Sequence, residues 1–465
     1  MSDLIFHNTL GGAREPFRPA NPDHVTIYVC GPTVYDYAHL GNARPAVVFD
    51  VLVRLLRRRF ARVTYARNIT DIDDKINARA AAQGAPIDAI TTRFAAAYAE
   101  DMAAIGCAAP DIAPKVTEHV PEIIDFVSRL IARGHAYEAE GHVLFHVPSF
   151  ADYGRLSGRS LEDMIAGARV EVAPFKRHPA DFVLWKPSPT SDLPGWDSPW
   201  GRGRPGWHIE CSAMIEAHLG HTIDIHGGGA DLIFPHHENE IAQGTAAHDG
   251  ACYAGMWMHN GMVTVEGQKM AKSAGNMLTV RDALARFPGE ALRLVLLSAH
   301  YRAPVDWSDR AAKRAIATLD RLYALFEGAG DLGTIAPDTA ALAEVEAALA
   351  DDLAFPRALA AIARIASTIR KEPDGPRKPA LLAALREAGA MLGLLQAPEQ
   401  WRADRARLAA SDAPVDEARI NALIAARKAA REQRDWEAAD AIRADLAAMG
   451  IAIKDTGDTT QWTRA

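Results

Sequence analysis

The chain has 465 residues, 49% hydrophobic and 24% charged, which is the make-up of a multi-domain globular protein and not of a disordered or fibrous one. No run of 18 apolar residues occurs, so the reading excludes a membrane-spanning helix. A formal net charge of −8 argues mildly against a nucleic-acid partner on its own, although a local basic face can sit on an acidic protein.

In chain order, "MSDLIFHNTLGGAREPF" lacks a basic segment followed by an apolar one, so no signal peptide is read and the cytoplasm is expected. Four widely spaced cysteines, Cys30, Cys107, Cys211 and Cys252, show no disulfide framework. "HVTIYVC" (24–30) alternates Val25, Ile27 and Val29 and predicts a strand. A helix is expected from about Asn42 through "VVFDVLVRLLRRRF", and a second strand in "RVTYARNIT" (62–70). Strand, helix, strand predicts a βαβ unit and a parallel sheet. A helical stretch is expected over 85–135. Residues 141–206, rich in Pro, Gly and Trp, read as an irregular insertion, after which "HTIDIHGGGADL" (221–232) resumes the sheet. "VTVEGQKMAKSAGN" (263–276) reads as a short hairpin running into a basic loop. Beyond about 310 the texture is helical: Ile316, Leu319, Tyr323 and Phe326 make one apolar face. "KEPDGPRKP" (371–379) divides two helices, 397–419 reads as a linker, and 415–465 as one long helix with a tail.

Four segments carry candidate chemistry. In "FPHHENE" (234–240), a helix opening at Pro235 puts His236 and Glu240 on one face, with His237 and Glu238 turned elsewhere. Alone, this is an exposed i,i+4 pair, and Cys211 in "GWHIECSAM" is a buried free cysteine. Taken with Cys30 at a strand end they form a plausible zinc set, because ligands in open parallel sheets gather at the carboxyl ends of strands. "HLGN" (39–42) places a loop at a helix N-terminus where an anion is favoured, with Gly41 allowing close approach and His39 able to donate to phosphate. By itself it is also only a helix cap. Lys269 and Lys272 are point charges that stabilise a leaving pyrophosphate if they reach it, and solvated surface lysines if they do not.

Together, HLGN, KMAKS and an interrupted sheet resemble the signature of class I aminoacyl-tRNA synthetases, with Asn42 where that class usually has histidine and Ala271 where its loop usually has serine. "YVCGPTVYDYAHLGNAR", "NITDIDDKI", "GWHIECSAM", "DIHGGGADLIFPHHENEIAQ" and "DWEAADAIRADL" more specifically resemble the cysteinyl-tRNA synthetase family, in order and over nearly the whole chain. That resemblance implies an α/β fold: a Rossmann-like catalytic domain (1–120 and 207–255) split by an insertion (121–206), a stem-contact region with the KMAKS loop (256–310), a helical bundle (311–402) and a small C-terminal anticodon-binding domain (415–465). It implies a single zinc on Cys30, Cys211, His236 and Glu240; a cysteine pocket with Gly31, Thr70, Trp207, His226 and His237; and ATP held by His39, Gly41, Asn42, Gly229, Asp231 and Lys272. His39, Asn42, Lys269 and Lys272 are the expected catalytic groups. ATP with Mg²⁺, L-cysteine and tRNA(Cys) are the implied partners of a monomer. In the tail, Arg427, Arg431 and Arg434 are expected on one helical face, with Trp436 beside them to stack on a base. The competing readings are a cysteine ligase acting on an amino sugar, a zinc-stabilised binding protein without catalysis, and a zinc hydrolase. HLGN and KMAKS together speak against the binding protein, the tail against the amino-sugar ligase, and the missing HExxH base against the hydrolase.

Overall fold

The computed structural model describes residues 3–464 except 167–172, 191–192, 271–274, 413–416, 449–450 and 457–458. The chain forms two compact units, 1–401 and 402–465.

The centre of the larger unit is a four-stranded sheet of His24–Val29, Arg62–Arg67, Ile223–Gly229 and Ala254–Asn260. Every pairing in it is parallel, in the order 254–260, 223–229, 24–29, 62–67. The strand pattern shows why both faces are covered. Val25, Ile27 and Val29 pack into one apolar core and Tyr28 into a second on the opposite side. The helix Leu40–Arg57 makes the first crossover, and its run of Val47, Val48, Phe49, Val51 and Leu52 is wholly buried. The helix Glu238–Ala247 lies between the last two strands. Strand order reverses between 24–29 and 223–229, so a switch-point crevice opens at the carboxyl ends of these two neighbours.

Several expectations are corrected. The first helix opens at Leu40, two residues before Asn42, and His39 is its cap. The helical stretch expected over 85–135 is two helices, Ile87–Ala104 and Val120–Ala132, parted by a segment that bridges back to the strand end at Ala66 and Ile69. The insertion is not irregular: Ala136–Ala139, His142–Phe145, Phe182–Pro187 and Gly203–Pro205 form an antiparallel sheet. Its Pro and Gly sit at strand ends and turns, while Phe145, Leu184 and Trp185 fill its core. The expected linker is the helix Pro398–Asp412. The hairpin stands as expected: Val263–Val265 pairs with Gln268–Lys269. Glu266 and Gly267, at φ of 50° and 76°, supply the two left-handed residues of its turn. "KEPDGPRKP" divides the helices Phe355–Lys371 and Arg377–Met391.

The smaller unit is two helices, Glu417–Glu432 and Trp436–Ala448, with an antiparallel hairpin of Ile451–Thr456 and Thr459–Arg464, where one helix and a tail were expected. Ile420, Leu446 and Ile451 form its core, with Ile453 and Trp462 packed against them.

Candidate active site at the sheet switch point

Cys30 follows directly on its strand and accepts a place beside the neighbouring one, its N–H donating to Gly227 O at 3.1 Å. Cys211 comes from the helix Trp207–Leu219, and the turn Ile233–His237 feeds His236 towards Glu240 in the next helix. The four donor atoms lie within 4.8 Å of one another. Cys30 Sγ is 3.7 Å from Cys211 Sγ and 3.5 Å from Glu240 Oε1, and Cys211 Sγ is 3.6 Å from His236 Nε2. Tetrahedral zinc, with bonds of about 2.3 Å to sulfur and 2.0–2.1 Å to nitrogen or oxygen, has S···S edges near 3.8 Å and S···N or S···O edges near 3.5 Å. The His236–Glu240 edge, at 2.9 Å, is shorter than the remaining edge of such a tetrahedron. This Cys/His/Glu cluster can hold a metal ion and suits zinc. His226, His237, Cys30 and Glu240 form a second overlapping set of donors. His237 was expected to face away, yet its Nε2 is 3.2 Å from Cys30 Sγ. Glu238 does turn away, accepting from the N–H groups of Gly154 and Ser157.

Charge in the cluster is arranged by burial and close partners. A hydrogen bond from Cys30 pulls the Cys211 thiol down to about 6 against its burial, while burial and Cys211 push Cys30 well above the thiol range. Burial would raise Glu240, but His226 and His236 outweigh it and hold the carboxyl well below its ordinary value. Burial likewise lowers His236, and Glu240 with Cys211 outweighs that and lifts it to about 10. Burial and neighbouring imidazoles lower His208 and His259 to about 3, so both are neutral near pH 7. Loading a dication here therefore displaces protons from Cys30 and His236, and metal affinity rises with pH.

Beside the cluster is a cavity of about 540 Å³ whose walls include Cys30, Gly31, His39, Gly41, Asn42, Trp207, Gly229, Asp231 and Lys269. Trp207 is 39% exposed and stacks on His236 with ring centres 4.2 Å apart, so it roofs the cluster. Thr70, His226 and His237 are buried and are not among the residues lining the cavity. Gly31 permits the closest approach: a Cβ there would lie 1.7 Å from Asn68 O. Asn68 was missed by sequence reasoning. It accepts from Gly31 N–H at 2.8 Å and donates to Thr70 Oγ1 at 3.2 Å. Also missed was His259, which joins His237 Nδ1 to Thr9 Oγ1, both at 2.7 Å. A histidine next to the carboxyl end of the fourth strand was the available signal.

HLGN occupies the helix N-terminus, and Asn42 Oδ1 accepts from His39 N–H at 3.1 Å. A Cβ at Gly41 would come within 2.9 Å of the His39 ring. Leu40 N–H donates to Leu278 O and Val280 N–H to Ala38 O, which stitches HLGN to the chain beyond KMAKS. Lys269 ends the hairpin at the cavity, whereas Ala271 and Lys272 lie outside the described residues.

In the smaller unit Arg427 is buried and grips Asp455 through both nitrogens at 3.0 and 3.1 Å, and Arg431 adds a third bond at 2.8 Å. Arg434 is past the helix end at φ 61°, so the three arginines do not share one helical face. Trp436 is 59% exposed. Arg427→Ala should therefore unfold this unit, seen as loss of its helical signal in a thermal melt. Trp436→Ala, at an exposed side chain, should leave the melt unchanged.

Solved structures with this architecture include Mycobacterium tuberculosis methionyl-tRNA synthetase in complex with methionyl-adenylate (TM-score 0.56, 16% identity, 83% of this chain and 93% of that one). Another is Agrobacterium radiobacter K84 LeuRS in a ternary complex with tRNA (TM-score 0.60, 13% identity, 83% and 86%). The fold is that of class I aminoacyl-tRNA synthetases. Residues 16–317 match the family described as tRNA synthetases class I (C) catalytic domain, 344–396 the DALR domain, and 414–462 the cysteinyl-tRNA ligase anticodon binding domain. Relatives named cysteine–tRNA ligase include those of Xanthomonas campestris pv. campestris, 58% identical over 99% of both chains, and Acidiphilium cryptum, 57% identical over the full length of both. The chain belongs to the cysteine–tRNA ligase family. Among the described residues no helix is long and apolar enough to cross a membrane.

Proposed function

We propose that this chain activates L-cysteine with ATP and transfers it to the 3′ end of tRNA(Cys), one zinc per chain on Cys30, Cys211, His236 and Glu240 selecting the substrate thiolate. The observation that carries this reading is the convergence of those four donors beside a nucleotide-sized cavity. Zinc bound there supplies a soft Lewis acid that prefers a thiolate to an alcohol, which separates cysteine from serine where shape alone gives roughly 1–3 kcal/mol.

In the first step a carboxylate oxygen of cysteine attacks the α-phosphorus of ATP, and the bond to pyrophosphate breaks. In the second, the terminal ribose hydroxyl attacks the acyl carbon and AMP leaves. Trp207 covers the side chain, and Gly31 with Asn68 shapes the floor below it. Thr70, His226 and His237 act from behind that floor: His226 holds Glu240 Oε2 at 2.8 Å. With Oε2 so held, Glu240 would keep its other oxygen, Oε1, to offer as a ligand alongside Cys30 and His236. His39, Gly41, Gly229 and Asp231 receive the nucleotide with its Mg²⁺. Asn42 fixes His39 through the backbone, and Lys269 and Lys272 offset charge on the leaving pyrophosphate. The C-terminal unit reads the anticodon through Trp436, and the enzyme works as a cytoplasmic monomer.

The test is ATP–pyrophosphate exchange with cysteine, serine or no amino acid, followed by tRNA charging. Cysteine-dependent exchange is expected, at least about 10³-fold above serine; equal exchange with both amino acids refutes thiolate selection.

A further inference from the structure

The cavity beside the cluster has a second charged wall. Arg67 ends the strand Arg62–Arg67 at one edge of the parallel sheet, whereas Lys269 follows the strand at the other edge, Ala254–Asn260. Three inter-strand gaps, about 14 Å in all, separate those edges. Arg67 is buried and lines the cavity. Its guanidinium lies over the Tyr98 ring at 5.3 Å and the Tyr65 ring at 5.9 Å. Among the described residues its one side-chain hydrogen bond is long, 3.4 Å to Tyr65 Oη, and it forms no ion pair. Asp50, whose charge reaches it, is taken by Arg293 and Arg54. Lys75 lines the same cavity with its ammonium over the Tyr35 ring at 5.6 Å, and it too has no carboxylate partner among the described residues. Arg281 is the contrast: it touches the Tyr37 ring but pairs with Glu100 and Asp101. Aromatic faces steady a cation without cancelling its charge. Of the two carboxylates on the cavity wall, Asp36 pairs with Arg79 and Asp231 stands by Gly229 on the next strand but one. A buried guanidinium without a counter-ion is costly, and an anion arriving in the cavity would relieve it.

In the function proposed above, the phosphates of ATP already have partners in His39, Lys269 and Lys272. A second pair of cations, based at the opposite edge of the sheet, suits the other anionic substrate. Resting on that reading, we propose that Arg67 and Lys75 are positioning residues for the transfer step: they hold phosphodiester groups at the 3′ end of the tRNA while its terminal ribose reaches the acyl carbon. Arg67, planar and stacked on Tyr98, offers a fixed fork to one phosphate. Lys75, the second residue of the helix Asp74–Gln83, is exposed and brings a mobile charge to a phosphate nearer solvent. Local cations that no carboxylate neutralises let a chain of net charge −8 receive a polyanion at this one place. Neither side chain touches the reacting atoms of the first step, so their effect falls on the second.

The experiment compares wild type with Lys75→Ala, Arg67→Met and Arg67→Lys in the full chain. Each is assayed for ATP–pyrophosphate exchange without tRNA, and for single-turnover transfer from preformed adenylate against tRNA and salt concentration. For Lys75→Ala the half-saturating tRNA concentration should rise about 10-fold, the scale of one lost charged contact. The log–log salt dependence of tRNA binding should become shallower by about 0.7, the slope that one phosphate contact carries on a single strand. The loss in exchange should be at least about five-fold smaller than the loss in transfer. Arg67→Met should behave alike, with Arg67→Lys restoring most of the salt slope because the charge returns. Equal losses in exchange and transfer, or an unchanged salt slope in Lys75→Ala, overturn the proposal. So does a raised KM for ATP with tRNA binding intact, which would assign these cations to the nucleotide. If Arg67→Met does not fold, the exposed Lys75 decides. A wild-type chain that exchanges pyrophosphate but charges no tRNA fails the functional reading itself, a different outcome from a tRNA indifferent to Lys75.

Discussion

Replacing Cys211 by serine should lower cysteine-dependent pyrophosphate exchange by on the order of 10³-fold, equivalent to about 4 kcal/mol of transition-state stabilisation. The substitution keeps nearly the same volume in a site that is 2% exposed, so the fold should survive. What is lost is the one thiol of the set that is a ready anion: Cys211 is already lowered to about 6 by Cys30 and His236. A serine hydroxyl does not ionise near pH 7 and is a hard ligand. Glu240 and His236 would remain, 2.9 Å apart, and close on one another as a simple ion pair. Metal content after dialysis should fall with activity, and exchange with serine should not rise in compensation. Full metal occupancy with activity within a few-fold of wild type would show that the four donors are not the selecting site.

Asp50→Ala should destabilise the larger unit by about 3–5 kcal/mol, the usual penalty for stranding a buried charge. Arg293 is fully buried, pairs with Asp50, and donates from Nε to Leu392 O at 2.6 Å. Arg54 and the N–H of Ala108 complete the carboxylate's shell at 2.7 and 2.9 Å. One guanidinium thus ties the first crossover helix, the helix Gly289–Leu296 and the turn after Arg377–Met391. Gly393 makes room for it at φ 65°, where a Cβ would lie 2.5 Å from the Arg293 side chain. Burial works against the Asp50 charge, but Arg293 and Arg54 win and its carboxyl is lowered in the folded chain. A lowered folded value means that this stability is fully present above the ordinary carboxylate range and is lost as pH falls through the folded value. Urea melts should therefore show the wild-type advantage over the variant intact at pH 7 and shrinking below about pH 4. An advantage that is constant with pH, or below about 1 kcal/mol, would show that the ion pair is not what joins these elements.

Three strands of the parallel sheet were legible because they carry their own signals, while the fourth, Ala254–Asn260, was not read. Val25, Ile27 and Val29 alternate, and GGG closes the strand that begins at Ile223. The antiparallel sheet of the insertion was not, because Pro187, Gly203 and Pro205 stand at the ends of its short strands, so local composition reads as loop while Trp185 and Phe145 do the packing. The smaller unit was misread for a similar reason. The break at Arg434 is made by backbone conformation, with neither glycine nor proline to mark it. For the site, His236 and Glu240 are legible by spacing. The approach of Cys30 to Cys211, 181 residues apart, depends on sheet order, which the family resemblance supplied and periodicity did not. Asn68 and His259 carry no motif. Their roles arise from what the sheet brings beside them.

The backbone stitch between HLGN and the segment Leu278–Val280 has an evolutionary consequence. Its hydrogen bonds are main chain to main chain, so no single side-chain replacement in the intervening loop removes them. Ala271, where the class usually has serine, is not a party to these bonds, which join the two segments proposed to handle the nucleotide. Side-chain drift in this stretch is buffered, because the register between the helix start and Leu278–Val280 is inherited through peptide groups.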